Sequence, residues 1–255
     1  MKYRTNPMKE KLRAGKAVIG CWLQTGSADV AEVLTRSGFD FMLIDHEHGQ
    51  ATIPQAIDQM RAIQGTDVAS LMRVPWNDIA YIKRALDAVV EGIMVPMIEN
   101  AEQAKAAVAA CLYPPQGNRG AAGTTRSSGY GYDVKDYFKT INDNVLVVLQ
   151  IESKKSVENL PAIAATPGLD VLFIGPRDLS ASIGKLGQFD DPEVKALYRR
   201  AEEAALASGK WVATVSNNAE ETRSLIARGY KIVVPTSEVS LLKAAAASLL
   251  QDIRR

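Results

Sequence analysis

The stretch VLVVLQIES, residues 145–153, decides the fold. Five apolar residues run without a break, and then Gln150 and Glu152 stand on either side of Ile151. A strand with one wet face alternates apolar and polar residues, whereas a continuous run reads as a strand buried on both faces of a parallel sheet. Short runs of the same kind recur at 17–23, 39–44, 68–74, 92–98, 169–174, 211–215 and 231–234. Between them lie amphipathic stretches such as DIAYIKRALDAVVE (78–91), SVENLPAIAA (156–165) and PEVKALYRRAEEAALASG (192–209), with apolar residues three and four apart. Gly38, Gly209 and Gly229 each end a helical stretch before a strand. Eight strands alternating with about eight helices predict an α/β protein, a single-domain (β/α)8 barrel over residues 1–255. An open, doubly wound sheet is the alternative. The long irregular segment 113–133, YPPQGNRGAAGTTRSSGYGYD, is expected to form a loop near the site.

Bulk properties exclude several classes of function. Net charge is +1, with Lys and Arg scattered, so no field favours nucleic acid or an anionic membrane. No apolar run approaches the ~20 residues of a membrane span. The N-terminal stretch MKYRTNPMKEKLRAGK is basic but lacks the apolar centre of a secretory signal. Cys21 and Cys111 sit in apolar surroundings and read as buried, reduced thiols, so a cytoplasmic protein is expected.

In a barrel of this kind the chemistry stands at the carboxyl ends of the strands. Asp45, His46, Glu47 and His48 follow the second run, Arg73 ends the third, Gln150 and Glu152 end the fifth, and Arg177 and Asp178 follow the sixth. Neighbouring strands lie about 4.8 Å apart, so Glu152 and Asp178 repel unless one is protonated or a cation lies between them. A hard divalent ion takes one or two carboxylates and fills its remaining positions with water and substrate oxygens. The bland alternative makes each acid a helix cap. His48 beside Asp45 suits a general base, and equally a loop histidine satisfied by backbone. His46 points away from Asp45 and Glu47 if the strand continues, so the two histidines are expected to differ in role. Arg73 suits a carboxylate or enolate oxygen with its planar fork, or simply an ion pair. His46 and His48 are two apart, not four, and no G-x-S-x-G occurs, which argues against a zinc protease and a serine hydrolase.

Seven stretches together, LIDHEHG, RVPWND, IKRALDA, VPMIENAEQA, YPPQGNRG, QIESKKSVENLPAI and LDVLFIGPRDLSASIG, resemble in order and spacing the metal-dependent (class II) pyruvate aldolases. The resemblance implies a (β/α)8 barrel assembled as a homo-oligomer, a hexamer built as a trimer of dimers that exchange a terminal helix. It implies Glu152 and Asp178 as ligands of a divalent metal (Mg²⁺, Mn²⁺ or Co²⁺). It further implies Gln150, Asp178 and the backbone at Arg177 as the binders of pyruvate, His48 as the proton acceptor and Arg73 as the transition-state stabiliser. Asp87 is implied to raise the basicity of His48, with Asp45 as the competing partner and a substrate contact, and Arg126 is implied to help close the site. The departure is His46, where the family usually carries glycine.

The implied reaction is reversible aldol cleavage of a 4-hydroxy-2-oxo acid to pyruvate and an aldehyde. No lysine stands at a strand end to form a Schiff base. The alternatives are an oxaloacetate-type decarboxylase or CoA-thioester lyase on the same site, and a barrel that only binds a 2-oxo acid. Arg73→Ala is expected to abolish cleavage while the fold survives, and EDTA is expected to abolish activity reversibly.

Overall fold

A computed structural model describes residues 4–255, which leaves the first three residues of the basic N-terminal stretch outside the described residues. Eight strands close into one barrel in sequence order: β1 (Val18–Leu23), β2 (Phe41–Asp45), β3 (Ala69–Arg73), β4 (Gly92–Val95), β5 (Leu146–Ile151), β6 (Val171–Ile174), β7 (Trp211–Val215) and β8 (Ile232–Ser237). Every neighbouring pair is parallel, and β8 returns to β1, so the sheet closes and is not open.

Among the described residues twelve α-helices, and a 3-10 helix at Arg126–Gly131, accompany the strands. They are α1 (Pro7–Arg13), α2 (Ala28–Thr35), α3 (Ile53–Ile63), α4 (Ile79–Asp87), α5 (Ala101–Cys111), α6 (Val134–Asn144), α7 (Lys154–Glu158), α8 (Leu160–Ala164), α9 (Pro176–Ala181), α10 (Pro192–Ala207), α11 (Ala219–Ala227) and α12 (Glu238–Ile253). The stretch 156–165 is not one helix. Pro161 has no N–H for a helix bond and its ring clashes with the preceding turn, so the chain breaks at Asn159 between α7 and α8.

The continuous runs have a simple cause. Successive side chains of a strand point to opposite faces, and here one face lines the barrel while the other meets the helices. Phe41, Leu43, Ala69, Leu71, Leu146, Val148, Val171 and Phe173 pack inside. Met42, Ile44, Met72, Val147, Leu149, Ile151, Leu172 and Ile174 pack outside against α-helical residues such as Ile82, Ala104 and Leu197. Gly20 leaves room for a neighbour, since a Cβ there would lie 2.3 Å from the Phe41 ring. The floor is closed by α1, whose Met8 and Leu12 join the inner cluster. Asn6 caps that helix by accepting the N–H groups of Met8 and Lys9, and Lys9 Nζ reaches Val145 O and Asp170 across the floor.

The same alternation delivers the polar residues. Asp45, Arg73 and Gln150 continue the inward-facing rows of β2, β3 and β5, and Glu152 follows two residues after Gln150. Asp45 and Arg73 are register partners across the β2–β3 pair.

The segment 113–133 lies elsewhere. Arg126 Nη1 donates to Ala88 O at 2.7 Å and Nη2 to Gln64 Oε1 at 3.2 Å. Gln64 and Ala88 end α3 and α4 and so lie at the amino-terminal side of the strands, opposite the catalytic rim. There Arg126 lines a cavity of about 400 Å³ with Arg4, Glu91 and Asp133. The expectation that this loop lies near the site and that Arg126 helps to close it is therefore not met within the chain. Cys21 and Cys111 are buried thiols, each pushed up to about 12 by burial. No helix among the described residues is long and apolar enough to cross a membrane.

Candidate active site

Arg73 is the most firmly held group at the carboxyl rim. Its Nε donates to Asp45 Oδ1 at 2.9 Å and its Nη2 to Asp45 Oδ2 at 2.7 Å. Nη1 lies 3.0 Å from Glu47 Oε2, an ion pair without hydrogen-bond alignment. The Trp22 ring lies under the guanidinium, 4.2 Å from its carbon, and meets Phe173 edge-on. Two of the five N–H groups bond to Asp45, and Nη1 carries the ion pair with Glu47, which leaves two N–H groups for a ligand.

Asp45 also shapes the turn after β2. Its Oδ1 accepts the backbone N–H of Glu47 at 3.1 Å and of His48 at 3.3 Å. Gly49 is required where this turn folds back, because a Cβ there would lie 2.1 Å from Asp45 O. Burial pushes the Asp45 carboxyl up, but the bonds and charge of Arg73, with the His48 N–H and the Gln24 amide, outweigh it and hold the group below its ordinary value.

Glu152 is 3% exposed. Its Oε1 accepts the Met97 N–H at 2.6 Å, and its Oε2 accepts Gln150 Nε2 at 2.8 Å. Met97 aims that N–H from a left-handed backbone, φ +56°, which a non-glycine residue adopts only where its surroundings impose it. Gly175 makes room on the other side, since a Cβ there would lie 2.9 Å from Glu152 Oε2. Burial raises Glu152 to about 7; the Met97 N–H and Arg73 work against this, while the charges of Glu47 and Asp178 add to it. Glu47 is raised by burial too, and it also feels Asp45 and Asp178. Asp178 stands exposed in the first turn of α9 and makes no ion pair among the described residues. Neither acid caps a helix: Ser153 caps α7, and Gly175 precedes α9.

These residues fit a hard cation. The donors are all oxygens, Glu47 and Asp178 add their charges to the burial that raises Glu152, and Gln150 Oε1 is buried with no hydrogen-bond partner. No set of three or more His, Cys, Asp or Glu among the described residues is placed to hold a metal. A thermal melt tests this without turnover. The folded value of Glu152 lies above its ordinary value of 4.5, so the fold favours its protonated form. Its contribution to stability is full below about pH 4.5 and is lost as pH rises through 7, on the order of 3 kcal/mol for the ion-free protein. Mg²⁺ is expected to raise the melting temperature at pH 7.5 and to change it little at pH 5.

The two histidines differ in their surroundings. His48 is exposed, its side chain 62% accessible, with Nε2 4.0 Å from Glu47 Oε2. Neither predicted partner meets its imidazole. Asp45 touches only its backbone, and Asp87 ends α4 in a 2.7 Å ion pair with Arg119, which is buried and stacked over Tyr113. Within the chain the nearby acid is Glu47. His46 is 7% exposed and turned outward, with Nδ1 2.7 Å from Tyr81 Oη and Nε2 buried without a partner. Burial holds it below the ordinary histidine value against the pull of Asp45. The Arg177 side chain is exposed and lines a groove with Phe189, Tyr198 and Glu202, while its amide belongs to the first turn of α9, where N–H groups lack helix acceptors.

Sequence reasoning passed over Trp22, Gln24, Met97 and Gly175, and gave Glu47 no role. Only Trp22 carried a signal, since it occupies the inward row of β1 two residues after Gly20.

Residues 18–245 match the family described as HpcH/HpaI aldolase/citrate lyase. The chain is 39% identical over 243 residues to a 2-dehydro-3,6-dideoxy-6-sulfogluconate aldolase of Pseudomonas putida, covering 95% of each chain. It is 37% identical over 247 residues to a hydroxypyruvate/pyruvate aldolase of Chromohalobacter salexigens, covering 96% of each. The crystal structure of an HpcH/HpaI aldolase/citrate lyase family protein from Burkholderia cenocepacia J2315 superposes with a TM-score of 0.94 at 36% identity, covering 98% of this chain and 100% of that one.

Proposed function

Because the chain belongs to the HpcH/HpaI aldolase/citrate lyase family and is a carbon–carbon lyase, we propose that it cleaves 4-hydroxy-2-oxo acids reversibly to pyruvate and an aldehyde, with a divalent metal. The observation that carries this reading is the Arg73 clamp. A guanidinium held on two carboxylates, with two N–H groups unspent, stands within Coulombic reach of the acid pair's Glu152.

Glu152 and Asp178 would hold Mg²⁺, Mn²⁺ or Co²⁺, which when bound supplies a Lewis acid for the 2-oxo group. The two free N–H groups of Arg73 meet the C2 oxygen as it gains negative charge, and being fixed in advance they need no reorganisation. Gln150 and the Arg177 amide orient the substrate, the second by donating to its carboxylate. His48 takes the C4 hydroxyl proton; the C3–C4 bond then breaks, and its electron pair forms the enolate of pyruvate as the aldehyde leaves. The Glu47 carboxylate supports the imidazolium that results. Protonation at C3 completes pyruvate.

Pyruvate incubated with a panel of aldehydes, including glycolaldehyde, glyceraldehyde, succinic semialdehyde and tartronate semialdehyde, tests the reading. EDTA is expected to stop product formation, and Mg²⁺, Mn²⁺ or Co²⁺ to restore it. His48→Ala is expected to lower kcat by about 10²-fold, within the range of general-base catalysis, and to leave the melting temperature unchanged because the side chain is exposed.

The exposed face of α12 supports the homo-oligomer we propose. From Val239 to the end of the chain every residue is exposed, Leu242, Leu249 and Ile253 among them. So long an apolar helix left in water supports a contact with a second copy, as in the proposed hexamer, a trimer of dimers that exchange a terminal helix.

A further inference from the structure

A run of hydrogen bonds leads from the start of α12 to Arg73. Glu238 opens that helix and is 5% exposed. Its Oε1 accepts the backbone N–H of Gln24 and that of Thr25, the latter at 2.7 Å. Both amides belong to the loop after β1, so the contact ties residues 214 positions apart across the seam where β8 meets β1. The Gln24 side chain then reaches inward, and its Nε2 donates to Asp45 Oδ2 at 3.3 Å. That is the oxygen which holds Arg73 Nη2. Gln24 O in turn accepts the N–H of Gln50 at 3.1 Å, two residues beyond His48.

Glu238 is an expensive choice for a cap. Its second oxygen, Oε2, is buried with no hydrogen-bond partner, and an unsatisfied carboxylate oxygen costs more than the neutral alternatives. The helix already has its cap, since Ser237 accepts the N–H of Ser240. What Oε1 does is fix the backbone of Gln24, and Gln24 touches both the Arg73 clamp and the turn that presents His48.

We propose that Glu238 and Gln24 are positioning residues for Arg73. Glu238 sets the place of the loop after β1, and Gln24 keeps the Asp45 carboxylate turned so that both oxygens meet the guanidinium. The inference rests on the role given to Arg73 above.

The test is a double-mutant cycle with pyruvate and whichever aldehyde turns over, each variant saturated with metal. Gln24→Ala and Glu238→Ala are each expected to lower kcat about tenfold, with KM for pyruvate changed less than about twofold. Glu238→Gln is expected to recover most of the loss, because its amide oxygen accepts the same two N–H groups. In an Arg73→Lys background, where the bidentate fork is already absent, adding Gln24→Ala is expected to cost less than about twofold. An unchanged kcat in Gln24→Ala overturns the proposal. So does a tenfold loss that persists undiminished beside Arg73→Lys, which marks a structural role. A melting temperature lowered in step with kcat, with full activity per folded molecule, also overturns it. If Arg73→Lys itself is as active as the parent chain, the role of Arg73 fails first and the proposal falls with it.

Discussion

Arg73→Lys is expected to lower kcat for the proposed aldol cleavage by about 10²–10³-fold, the cost of removing a preorganised donor from a developing oxyanion. Lysine keeps the charge beside Asp45 but cannot span both of its oxygens and still direct N–H groups at substrate. Arg73→Ala is a different experiment. Asp45 is completely buried, and without Arg73 its charge has no compensating cation. Removing one partner of a buried pair costs about 3–5 kcal/mol. Typical domains hold only about 5–15 kcal/mol in total. Where the sequence alone led us to expect an alanine variant that loses activity with its fold intact, the buried pair adds the expectation that it also loses much of its stability. Steady-state kinetics beside thermal melts of both variants check this, and an active lysine variant contradicts it.

Glu152→Gln carries the second large effect, with opposite signs for activity and stability. The amide oxygen still accepts the Met97 N–H, but half of the proposed anionic ligand pair is gone. A bound metal supplies several kcal/mol of charge stabilisation, so kcat is expected to fall by about 10³-fold. In the ion-free protein above pH 7 the same change removes a buried negative charge that Glu47 and Asp178 repel. Its melting temperature is therefore expected to rise, and the response to added Mg²⁺ to vanish. A variant that keeps both its activity and its Mg²⁺ response would remove Glu152 from the metal.

How far the sequence could be read follows from which contacts are local. The barrel was legible because its strands are buried on both faces, which writes continuous runs such as 145–149 into the chain. Arg73, Asp45, Gln150 and Glu152 were legible for the same reason, as polar residues on inward rows where apolar ones stop. The helix α6 was not read because only Tyr137 and Ile141 are buried along it, too few to write a clear apolar stripe. The surroundings of Asp87 were not legible, because it sits at the far end of α4 and pairs with Arg119 within the chain, which a linear pattern does not show. The loop 113–133 was misplaced for a related reason, since nothing in its composition says which end of the barrel it covers. Met97 and Gly175 act through close approach of backbone to one carboxylate, and Glu238 meets Gln24 only after the barrel closes.

The most direct measurement is deuterium exchange at C3 of pyruvate in D₂O, followed by NMR, because enolate formation needs no aldehyde. Exchange is predicted to require added divalent metal, to stop with EDTA and to be lost in Glu152→Gln. Exchange that persists in EDTA, or borohydride trapping of pyruvate on a lysine, would contradict a metal held by Glu152 and Asp178, and no exchange at all would leave only a barrel that binds a 2-oxo acid.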